Sequence, residues 1–164
     1  MEYRDDYSGV LTAVPYVFRR ARSRLFKAYV VVAALVTVLV AVFVATGLVR
    51  VLAESAAAGP LDRLGSRALF VLLGVAVVLP ALAPVLFVAR RHRRGDPTTR
   101  YEVETALTGF FFLVSVYILL VATTPRDLRQ DAGAASALYA IPTPVAVAVV
   151  LAAAALVYVV GRYR

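Results

Sequence analysis

Apolar residues run along this chain in four long stretches without a single charge, at positions 28–49, 68–89, 105–125 and 132–161. An α-helix rises about 1.5 Å per residue, so roughly 20 apolar residues cross a hydrocarbon core of about 30 Å. Each stretch reaches that length. The pattern predicts an all-α membrane protein, a four-helix transmembrane bundle with spans near 28–49, 68–89, 105–125 and 144–161. The last run, at 30 residues, is too long for one perpendicular span. Pro142 and Pro144 place its helix start near residue 144, because proline is tolerated in a first turn. Ahead of it, Thr124 as cap, Pro125 and Asp127 predict a short helix outside the membrane through about Leu138.

The 27 residues before the first span carry a second pattern. From Ser8 onward, Val10, Val14, Val17, Ala21 and Leu25 recur at three- and four-residue spacing, while Arg19, Arg20, Arg22 and Arg24 mostly point elsewhere. This predicts an amphipathic helix lying on the membrane surface, with a break at Pro15 near its start. The organisation is therefore a basic juxtamembrane segment over 1–27 and a four-span domain over 28–164. A first run of 22 uncharged residues exceeds the roughly 7–15 of a signal-peptide core, so it reads as an uncleaved anchor.

Composition sharpens this picture in two ways. The absence of cysteine removes disulfides, thiolate metal sites and thiol redox chemistry. One lysine against 17 arginines, in spans rich in alanine and valine, points to a GC-rich prokaryotic genome.

Charge then orients the chain. Thirteen of the 18 basic residues fall in the amino-terminal segment, the loop at 90–104 and the carboxyl-terminal tail, and five fall in the two remaining loops. Basic residues near span ends stay in the cytoplasm, which places both termini inside a cell membrane crossed four times. Tyr29, Tyr101, Tyr158 and Tyr163 then sit at the inner interface and Tyr139 at the outer one, where an amphipathic ring anchors well. The cluster Arg19, Arg20, Arg22, Arg24 and Lys27 is a candidate contact for anionic lipid headgroups, at about 1 kcal/mol per basic residue. The same arginines also suffice to set topology. Phosphate on nucleic acid is an alternative partner in principle, but headgroups are nearer, and no specific nucleic acid is expected.

Within the spans, a few positions depart from plain apolarity. Ala33, Thr37, Ala41 and Ala45 form a stripe of small side chains that admits a neighbouring helix or a second copy. Pro80 and Pro84 lie four residues apart, so the carbonyls of Ala76 and Pro80 lose their usual donors and the helix should kink. Freed carbonyls can coordinate ions at membrane depth, although kinked structural helices are commoner. Thr108 and Ser115, with Thr105, Phe112 and Ala122, make a polar seam, and Tyr117 should face the bundle because a buried phenol needs a partner.

What the spans lack is equally informative. No acid, base or histidine lies in them, which argues against proton relays and intramembrane catalysis. The sole histidine, His92, in the string RRHRR, reads as a solvated loop residue. The acids Asp96, Glu102 and Glu104 read as partners of Arg93, Arg94 and Arg100 in a charged connector. No metal, cofactor or catalytic residue is expected.

The opening DDYSGVLTAVPYVFRRARSRLFKAY, the doubly proline-marked VLPALAPVLFVARRHRRGD and the short polar ends resemble four-span membrane proteins of halophilic archaea. That resemblance covers most of the chain and implies no catalytic residues and no particular activity. Two functions follow from the sequence, ahead of a third, an enzyme acting on lipid, which the missing catalytic residues disfavour. The first is a non-enzymatic accessory or assembly subunit resting on anionic lipid, with a membrane-protein partner or a second copy. The other is a small oligomeric transporter or channel using the second span.

Overall fold

The structure, a computed structural model, describes residues 10–54, 60–95, 97–129 and 134–163. Among these residues the chain is helical throughout, without strands. Helix α1 covers Val10–Arg20, α2 Arg24–Glu54, α3 Pro60–Arg94 and α4 Thr99–Ala122. A 3-10 turn at Arg126–Leu128 precedes α5, Ala134–Tyr139, and α6, Thr143–Tyr163. Four helices are long and apolar enough to cross a membrane, over Arg24–Arg50, Val71–Arg94, Thr99–Ala122 and Thr143–Tyr163, with mean hydropathy between 2.2 and 2.8. Their outward faces carry Leu39, Phe43, Leu72, Leu120 and Leu151, each more than half exposed, as lipid-facing side chains should be.

The four long helices alternate in direction, and the start of α2, the end of α3, the start of α4 and the end of α6 gather at one end. Most of the basic residues stand there, so it is termed the basic end. Helices α3 and α4 form the central pair. Each touches both α2 and α6, while α2 and α6 do not touch one another among the described residues.

Burial is concentrated toward the basic end. The larger core cluster joins Ala13 and Val17 of α1, Phe26, Tyr29, Val30 and Ala33 of α2, Val85 and Val88 of α3, and Tyr101 and Ala106 of α4. A smaller one joins Ala81, Phe112, Ala153 and Val157 across α3, α4 and α6. The small-residue stripe of the first span is accordingly buried only toward the basic end. Ala33 is fully covered, whereas Ala41 and Ala45 are exposed.

Several local expectations change form. Helix α1 runs through Pro15, which is exposed on its surface, and it ends at Arg20 instead of continuing to Leu25. Its apolar face is covered by α3 and α2 at Ala13 and Val17. In the connection before α6, Pro125 occupies the cap position of a 3-10 turn, while the Thr124 hydroxyl donates back to the Leu120 carbonyl. No side-chain cap forms at this turn, and the next described helix is Ala134–Tyr139.

One junction fixes the central helices laterally. The Tyr29 ring from α2 lies on the backbone of α4 at Gly109, where a Cβ would overlap the ring, and packs edge-on against Phe110 at 5.1 Å between centroids. Its hydroxyl donates to the Ala81 carbonyl on α3, beside the two prolines. Gly109→Ala should destabilise the bundle by about 1–3 kcal/mol through overpacking. Thermal unfolding in detergent checks this, and the penalty should largely vanish in a Tyr29→Ala background, where nothing is left to overlap.

Candidate functional site

The residues of chemical interest converge at the basic end, around a carboxylate that the sequence does not single out. Glu102 lies in the first turn of α4 and is fully buried. Its Oε2 accepts the backbone N–H of Ser23 at 2.7 Å and that of Arg22 at 3.0 Å, and Oε1 accepts Arg22 again at 3.3 Å. These amides belong to the three-residue link between α1 and α2. The link ends α1 and starts α2, whose first turn is capped by the Ser23 hydroxyl accepting the Phe26 N–H. The carboxylate therefore sits at the positive end of the α2 dipole as well as on two amides.

His92 completes the knot from the last turn of α3. Its Nδ1 donates to the Val88 carbonyl at 3.0 Å, which directs Nε2 toward Glu102 Oε1 at 3.7 Å, an ion pair when the ring carries its second proton. The side chain is only 4% exposed. His92 is thus an interior residue of α3 rather than a solvated loop residue, because its ring lies one turn beyond Val88 on the buried face. Of the three connector acids, Glu104 pairs with an arginine as expected, meeting Arg100 at 2.9 Å on the surface. Glu102 bonds to backbone amides instead, and Asp96 lies outside the described residues.

The sequence-derived candidates divide clearly. Arg19, Arg20, Arg22 and Arg24 are exposed, and the Lys27 ammonium lies 5.8 Å from the Phe18 ring centre. Pro84 is fully buried and Pro80 half-buried, inside a helix that continues past both. The seam residues Thr105, Phe112, Ser115 and Ala122 are buried, and their hydroxyls stay on their own helix. Thr105 donates to the Tyr101 carbonyl, Thr108 to Thr105 and Ser115 to Phe112. Tyr117 contradicts its expectation, facing outward with 62% of its surface exposed. It lies on the α4 face away from the seam, where its phenol is no longer a buried group in need of a partner.

Beside the knot, the ends of α3 and α6 frame an open cleft of about 710 Å³. Phe87 and Tyr158 make its apolar side, in edge-to-face contact at 6.3 Å. Arg90, Arg91 and Arg94 of α3 and Arg162 of α6 line it too, with Tyr101 entering from α4. The Tyr101 hydroxyl donates to the Gly161 carbonyl at 3.0 Å, and the Arg91 guanidinium lies over the Tyr101 ring at 4.1 Å. Arg162 donates to the Tyr158 hydroxyl at 2.6 Å. Gly161 permits this approach, since a Cβ there would overlap the Phe87 ring.

No group of three or more histidine, cysteine or acidic side chains suited to a metal occurs among the described residues. Among the described residues, the basic end brings together a buried carboxylate bonded from within, Glu102, and a surrounding surplus of guanidinium groups.

Two substitutions separate the buried carboxylate from the surface pair. Glu102→Leu removes both acceptor oxygens from the Arg22 and Ser23 N–H groups and should cost about 1–3 kcal/mol in thermal unfolding. Arg100→Gln removes an exposed partner and should cost at most about 1 kcal/mol.

Searches of curated proteins and of solved structures return no match to the chain. A family profile described as Domain of unknown function (DUF8056) matches residues 2–164, nearly the whole length, and the chain therefore belongs to that family.

Proposed function

We propose that this protein is a non-enzymatic, multi-pass accessory or assembly subunit of a prokaryotic plasma membrane, of halophilic archaeal type, whose basic end faces the cytoplasm and rests on anionic lipid. The observation that carries the reading is the coincidence of charge and architecture. Basic residues of α1, the start of α2, the end of α3, the start of α4 and the end of α6 share one end of an apolar bundle. Such an end is retained on the cytoplasmic side and attracts acidic headgroups. Arg19, Arg20, Arg22 and Arg24 project outward from the α1–α2 region, where a juxtamembrane helix lies alongside headgroups. The same bundle has wide apolar faces on the outer half of α2 and α3, which suit lipid or a partner helix equally well.

The transporter alternative draws less support. Helix α3 is continuous through Pro80 and Pro84, and the hydroxyls of Thr108 and Ser115 are spent on their own backbone.

Topology is tested in this cysteine-free chain by single cysteines and an impermeant thiol reagent on right-side-out vesicles. Thr99→Cys at the basic end should be protected and Leu128→Cys should react; the reverse pattern contradicts the orientation. Isolation of the full chain from native membranes in mild detergent should bring a stoichiometric membrane-protein partner and a lipid fraction enriched in anionic headgroups. Isolation without a partner, together with solute flux in liposomes that is lost in Pro80→Ala/Pro84→Ala, would replace this reading with transport.

A further inference from the structure

The cleft between α3 and α6 asks for an explanation that topology alone does not supply. Basic residues that merely fix orientation can spread out and hydrate separately, as like charges prefer. Here Arg90, Arg91, Arg94 and Arg162 instead border a single cavity of about 710 Å³, and no described residue lining it carries a carboxylate. The volume falls in the range of small-molecule sites, about 300–1,000 Å³.

Two of the four guanidinium groups are held in place. Arg91 is stacked on Tyr101, itself tied to α6 through the Gly161 carbonyl, and Arg162 is bonded to Tyr158. Arg90 and Arg94 are exposed and pair with no described side chain. Fixed and free guanidinium groups lining one cavity suit the oxygens of a phosphate, which accept several charge-assisted bonds at once. Phe87 and Tyr158 add an apolar wall, at the level where the spans of α3 and α6 end. A ligand with a phosphate beside a hydrocarbon portion fills both halves.

We propose that this cleft is a phosphate-recognition site, taking the headgroup of an anionic phospholipid or a soluble phosphate monoester. The site is a stoichiometric one and is independent of the partner and topology assigned above. A diffuse lipid-attracting surface could exist without it.

The test uses the full chain in a neutral detergent, titrated calorimetrically with dihexanoyl phosphatidylglycerol, dihexanoyl phosphatidylcholine and glycerol 1-phosphate. Saturable binding of one equivalent of phosphatidylglycerol or of glycerol 1-phosphate is expected, weakened at least about tenfold in Arg90→Gln/Arg94→Gln. Tighter binding of phosphatidylglycerol identifies a lipid as the source, and equal or tighter binding of glycerol 1-phosphate a soluble ligand. Arg100→Gln/Arg126→Gln removes the same charge away from the cleft and should leave binding intact. Both altered pairs are exposed, so unchanged melting temperatures verify that the fold is kept. The proposal is overturned if neither phosphate probe saturates, if phosphatidylcholine binds as tightly as the better of the two phosphate probes, or if the two double variants weaken binding equally.

Discussion

A carboxylate taken out of water loses several kcal/mol of hydration, and it stays in a protein interior only where donors replace that water. Glu102 is placed under that constraint at the meeting point of four helices. Its donors are the Arg22 and Ser23 amides, with the His92 ring opposite. Each charge-assisted bond of this kind contributes about 1.5–3 kcal/mol, so together they offset the cost of burial only if all are kept. The positions of α1, α2, α3 and α4 at the basic end are tied to one another through that requirement.

The consequences extend along the chain. Because the Arg22 and Ser23 amides bond to Glu102 and not to carbonyls a turn earlier, the amino-terminal helix stops at Arg20 and a new one starts at Arg24. That stop turns α1 back onto α3 and α2, where Ala13 and Val17 are buried. The same register of α4 points Tyr101 at Gly161, setting α6 against α3 and holding open the arginine-lined cleft. About two turns further on, Gly109 receives the Tyr29 ring, whose hydroxyl reaches across to α3. The basic end is thus a connected set of polar contacts, whereas the opposite half of the bundle relies on packing among apolar side chains and lipid.

Much of the architecture is legible from the order of residues, because charge-free length is dictated by the bilayer rather than by tertiary contacts. The seam of α4 is legible too, since Thr105, Phe112 and Ser115 repeat at helical spacing and all three are buried. Extending that seam one turn toward the start of the helix arrives at Tyr101 and Glu102, which is the signal that identifies the buried carboxylate. Surrounding charges mask it: a glutamate beside Arg100 and Glu104 looks like one more surface acid. His92 is hidden in the same way by the four arginines around it, although it stands four residues after the buried Val88. The cleft is beyond reach of any local pattern, because Arg162 and Arg90 are more than 70 residues apart in sequence and meet only through the packing of α6 on α3. Tyr117 fails for a simpler reason, as helical phase places it on the face opposite the seam.

The central claim is that the Glu102 carboxylate holds the α1–α2 link in place. Its most direct measurement is amide hydrogen exchange at Arg22 and Ser23 in the detergent-solubilised full chain, resolved residue by residue. Both amides lie outside regular helix, yet the carboxylate bonds predict protection comparable to that of neighbouring α2 amides such as Val30, lost selectively in Glu102→Leu. Exchange at open-chain rates in the unaltered protein would contradict the account.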